Sequence, residues 1–149
     1  MSDIRRKVKV LYLVRHAEKE SSFFDSDLST AGHGRAKKLA HLFQHETIDH
    51  VFSTDLPRTL NTIRPTAEDQ FALVEFYNYR DVVGLAHKII SDDDYYKVLI
   101  GGHSDNVPML IRALGINFNV GEIPLDEYDN LYIVTLFDDG TSVLEQKKY

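Results

Sequence analysis

Regular hydrophobic patterning begins at Val8. "VKVLYLV", Val8 to Val14, starts with alternation and ends as a continuous apolar run. A strand covered on both faces has this pattern. Residues 17–28 form a mostly polar loop that carries Phe23 and Phe24. In "LSTAGHGRAKKLAHLFQHE", Ala36, Leu39, Ala40 and Phe43 recur at helical spacing, and Ser29 or Thr30 can cap the start. "HVFST" is a short strand. "DLPRTLNTIRPTAE" is a second helix, with Asp55 as its cap, Pro57 in its first turn and an inner stripe of Leu56, Leu60, Ile63 and Ala67. Pro65 is expected to kink or shorten that helix.

"FALVEFY" reads as a third strand and "RDVVGLAHKII" as a third helix. "KVLIGG" is a fourth strand. "DNVPMLIRALG" is a fourth helix, with Val107, Leu110, Ile111 and Leu114 on one face and Gly115 at its stop. "LYIVTLF" and "TSVLEQKK", joined through "DDG", form a hairpin. Strands alternating with helices imply an α/β fold: a three-layer α/β/α sandwich on a mainly parallel sheet, closed by a C-terminal antiparallel hairpin. Residues 1–149 are read as a single domain.

Composition narrows the function. Net charge is −6, which argues against nucleic-acid partners. An anionic substrate would have to be held by a few local arginines. There is no cysteine, so disulfides and thiolate metal sites are excluded. "MSDIRRKVKV" is basic but lacks the apolar core of a signal peptide, and no run is long enough to span a membrane. A cytoplasmic protein with no membrane partner is the expectation.

Ligand crevices in such sheets lie at the carboxyl ends of the strands. Arg15 and His16 follow the first strand, Arg58 lies in the helix after the second, and His103 follows the fourth. Two guanidiniums and two imidazoles should therefore converge near helix N-termini, where free N–H groups favour an anion. Arginine's planar fork matches phosphoryl oxygens, and neutral histidine is a nucleophile. Adjacent guanidiniums would hold His16 neutral. His41 and His45 share a helix face, but no third metal ligand accompanies them.

These segments resemble the histidine phosphatase superfamily, the phosphoglycerate-mutase-like fold. "LYLVRHAEK" is similar to its strand ending in Arg-His. "LSTAGHGRAKKLAHLF", "VFSTDLPRTLNTIRPTAE" and "VLIGGHSDNVPMLIRALG" resemble its next three motifs in family order. The resemblance implies that His16 carries a phosphohistidine and that Arg15, Arg58 and His103 bind the phosphoryl oxygens, with Ser104 beside them. It implies no cofactor and no metal. The general acid is assigned to Glu75, near the family's mutase-branch position, with Asp105 second. Asp105 also stands where a helix cap would stand, and Glu18 is read as a loop or supporting residue.

The segment from residue 59 to 102 is short for a mutase, which favours a small metal-independent phosphatase. It would hydrolyse a phosphomonoester or a phosphoprotein. A mutase-type phosphotransferase and a non-catalytic phospholigand-binding module are the alternatives.

Overall fold

The computed structural model describes residues 8–149; the basic stretch at residues 1–7 lies outside the described residues. The elements run β1 (Lys9–Arg15), α1 (Thr30–Leu42), β2 (His50–Ser53), α2 (Pro57–Gln70), β3 (Leu73–Phe76), α3 (Val82–Ser91), β4 (Lys97–Gly102), α4 (Asn106–Ala113), β5 (Asn130–Leu136) and β6 (Ser142–Lys148). Their order is the one the hydrophobic pattern predicts. The six strands form one sheet in the order β3-β2-β4-β1-β5-β6. β1 to β4 pair in parallel, and β5 and β6 add antiparallel strands on the β1 side.

Period-two alternation divides the core into two layers. Leu11 and Leu13 of β1, with Val98 and Ile100 of β4, pack against Val82, Leu85 and Ile89 of α3 and Leu110 and Ile111 of α4. Tyr12, Val14 and Leu99 face the other way, onto Leu39 of α1 and Ile63 and Ala67 of α2, with Phe43 just beyond α1. Burying a Leu or Ile side chain contributes about 1.5–3 kcal/mol, so β1 and β4 form the rigid centre of the sheet. Among the described residues no helix is long and apolar enough to cross a membrane.

Local differences from the sequence reading have physical causes. Ser29 caps α1 by accepting from the Gly32 amide. α2 is capped by no side chain: Leu56 takes the cap position, and Asp55 stands outside the helix. Pro65 lies within α2, which runs on to Gln70. The buried face of α2 is also rotated from the expected stripe. Thr59, Thr62 and Thr66 are fully buried with Ile63, while Leu60 is half-buried and Leu56 precedes the helix. Two of these threonines serve the crevice at the strand ends.

Candidate active site

The β1–β4 register places Arg15 opposite Gly102. The His16 amide then donates to the Gly102 carbonyl at 2.9 Å, one residue past the ladder. Parallel pairing thus carries His16 and His103 side by side, with ring centres 5.5 Å apart. Gly102 has no room for a side chain: a Cβ there would lie 2.7 Å from Asn106 Oδ1 and 2.8 Å from Val107 Cγ2. The same Oδ1 accepts from the His103 amide at 2.7 Å, which ties the end of β4 to the start of α4.

A cavity of about 620 Å³ opens at these strand ends. Arg15, His16, Arg58, His103 and Ser104 all line it, as do Thr54, Asp55, Tyr79 and Asp105. Arg15 is buried, and its Nη1 donates to the carbonyls of Leu125 and Glu127, each at 2.9 Å. Its guanidinium carbon lies 4.1 Å from the centre of the Tyr128 ring, a cation–π contact. Arg58 donates through Nη1 to the Phe24 carbonyl. The Nε groups of both arginines are buried with no hydrogen-bond partner. Burial first, and the charge of Arg15 second, pull Arg58 below the usual arginine range.

The tautomer of His16 follows from one contact. Its Nδ1 lies 2.8 Å from the Ala17 carbonyl, which can only accept, so Nδ1 carries the proton and the neutral ring has its lone pair on Nε2. Ala17 is held in turn: its amide donates to Thr62 Oγ1 at 2.8 Å, and that hydroxyl donates to the Arg58 carbonyl at 2.7 Å. Burial lowers the His16 pKa to about 3, with Arg15, His103 and Arg58 adding to the effect against the opposing Ala17 bond. His103 is lowered to about 4, by burial first and then Arg58, with Asp105 opposing. Its Nε2 shares a 2.9 Å hydrogen bond with Thr54 Oγ1.

Glu75 does not reach this cavity, and its expected place beside the two histidines is corrected. The register sets it opposite Phe52, within β3 rather than beyond its end. Its carboxylate pairs with Lys88 and lies 3.4 Å from His50 Nε2. Burial opposes ionisation there, but the Lys88 and His50 contacts outweigh it and hold Glu75 below the usual carboxylate range. Asp105 occupies the position before α4, yet its side chain makes no cap bond. It lines the cavity instead and accepts from the Tyr79 hydroxyl. Ser104 Oγ donates to Glu122 at 3.0 Å. Glu18 forms a bidentate pair with Arg35 at 2.8 and 3.0 Å, outside the cavity lining.

The sequence reading missed Thr62, Tyr79, Arg80, Glu122 and Leu125. Threonines on the inner stripe of an amphipathic helix were the available signal for Thr62. Glu122 and Leu125 lie in a stretch with no periodicity. Among the described residues, no group of three or more His, Asp or Glu side chains is placed to hold a metal ion.

Comparison with known proteins agrees with this architecture. Residues 11–77, from β1 to just past β3, match the histidine phosphatase superfamily (branch 1). Over that stretch the chain is similar to the histidine phosphatase superfamily. The protein histidine phosphatase SixA, solved with tungstate, superposes with a TM-score of 0.76 at 18% identity, covering 93% of this chain and 96% of that one. A phosphoserine phosphatase from Entamoeba histolytica, solved with 3-phosphoglyceric acid, gives 0.72 at 15% identity over 95% and 98%. A mycobacterial glucosyl-3-phosphoglycerate phosphatase gives 0.67 at 12% identity over 95% and 98%. At these identities the likeness is one of fold. A search of curated protein sequences finds no match.

Proposed function

We propose that the protein is a phosphatase that works through a phosphohistidine on His16. The observation that carries this reading is the state of the His16 ring. It is buried, neutral, fixed with its proton on Nδ1, and set in a cavity walled by two guanidiniums and a second imidazole. Nε2 attacks phosphorus, the N–P bond forms and the bond to the leaving oxygen breaks. Arg15, Arg58 and His103, which line the cavity, take the phosphoryl oxygens. Water then attacks phosphorus, the N–P bond breaks and phosphate leaves.

Asp105 replaces Glu75 as the carboxyl group assigned to proton transfer. It takes the proton from the attacking water and returns it to the leaving oxygen of the next turnover. Substrates of this chemistry are phosphomonoesters or phosphoproteins. The solved relatives' phosphorylated substrates and ligands are compatible with this reading, as is tungstate, an oxyanion, in SixA.

One contact favours a second reading. The Tyr79 hydroxyl donates to Asp105, so a carboxylate oxygen is already engaged within the cavity lining and is less free to reach a leaving group. A phosphate-binding module would keep the pocket without that step. The two readings separate in one assay. An aryl phosphate should be hydrolysed by the native chain and not by His16→Ala. Phosphate binding by calorimetry with no hydrolysis of any ester would sink the enzymatic reading.

A further inference from the structure

The mouth of the cavity carries a feature that phosphoryl binding does not use. Phe24 and Leu125 both line the cavity, yet they are 78% and 66% exposed. Each is tied by its own carbonyl to one arginine of the site, Phe24 to Arg58 and Leu125 to Arg15. The Phe24 loop is itself closed. Lys19 and Leu28 form a bridge, the Glu20 amide donates to the Asp27 carbonyl at 2.9 Å, and Asn61 of α2 donates to Asp27 Oδ1 at 2.7 Å. Two apolar side chains are therefore carried into water on an anchored backbone beside the anion site. The charged groups at the mouth, Lys19 and Arg80 against Asp55 and Glu122, come in both signs and give no net preference for a charged leaving group. The cavity, at about 620 Å³, is far larger than a phosphoryl group.

We infer that the substrate's phosphoryl group is attached to an apolar group of several carbons, and that Phe24 and Leu125 select it by covering that group. This rests on the phosphoryl-binding reading of the site. The selection itself is a matter of buried methylenes, each of which strengthens binding several-fold when fully covered.

The test uses ethylphosphonate and hexylphosphonate, which bind without being hydrolysed, titrated calorimetrically into the full chain. Hexylphosphonate should bind about tenfold tighter. Phe24→Ala and Leu125→Ala should each remove most of that ratio while ethylphosphonate affinity stays within about twofold. Equal affinity for the two phosphonates overturns the inference, as does a ratio unchanged in both variants. Binding of neither phosphonate overturns both this inference and the anion site beneath it. Because binding is the readout, a chain that selects hexylphosphonate but hydrolyses nothing would sustain the inference and defeat only the phosphatase reading.

Discussion

Two clusters in this sheet place histidine among charged groups, and their surroundings send them to different ends. At the centre, His16 and His103 sit past the ends of β1 and β4, among cations. Towards the edge, His50 of β2 lies 3.4 Å from Glu75 of β3, with Lys88 on the same carboxylate. Its ring also packs on Phe52 and Tyr95, with ring centres 4.9 and 4.6 Å away. The edge cluster answers its own charges. The central cluster sets two guanidiniums beside a fixed imidazole lone pair, a combination suited to an anion. Whether a carboxylate reaches the central histidines depends on where along its strand it sits: Glu75 is paired within β3 and stays outside the cavity lining.

The largest expected contrast is in turnover. His16→Ala should lower kcat for an aryl phosphate by at least ~1000-fold while circular dichroism stays native. Native-like turnover in that variant would move the chemistry elsewhere.

The second contrast is in stability against pH. In the folded chain His16 and His103 titrate at about 3 and about 4. Unfolded histidine titrates at about 6.5, so the unfolded state binds protons first as pH falls. Stability from the two neutral rings is complete above about pH 6.5 and declines towards pH 4 and then 3. At about pH 5 each ring should cost about 2 kcal/mol relative to neutral pH. Denaturant unfolding at the two pH values checks this, and His16→Gln should flatten the slope by roughly half.

Asp105→Asn should lower the single-turnover rate of phosphoenzyme formation from an alkyl phosphate by about tenfold and spare that step with an aryl ester, whose leaving group needs little protonation. Equal loss on both would assign Asp105 a binding role instead. The smallest effect belongs to the edge cluster. Glu75→Gln should leave kcat/KM within about twofold and cost less than about 1 kcal/mol, because the ion pair is partly solvated. A large loss of turnover there would erase the distinction between the clusters.

Much of this was legible in the sequence. Apolar runs located β1 and β4, so Arg15, His16 and His103 could be placed at strand ends, and Arg58 in the first turn of the helix after β2, from the sequence. Glu75 was misplaced because the resemblance looks for an acid following the third strand, whereas Glu75 lies within "FALVEFY" itself. β3 ends at Phe76, so Glu75 falls on the face towards α3, and the cavity wall is built from Tyr77, Tyr79 and Arg80 beyond it. Glu122 and Leu125 were illegible for another reason. Their stretch reaches the site through backbone contacts, with the Ile123 amide on the Ser104 carbonyl at 2.8 Å and Arg15 on the Leu125 carbonyl. Such contacts leave no mark in residue type.

The central claim is a covalent N–P bond at His16, and the direct measurement is to trap it. The chain is mixed with an aryl phosphate, quenched in alkali, digested and sequenced by mass spectrometry. The account predicts one phosphoryl group on His16, stable to alkali, lost in mild acid and absent from His16→Ala. Turnover with no phosphorylated His16, or with the label on another residue that persists in His16→Ala, would contradict it.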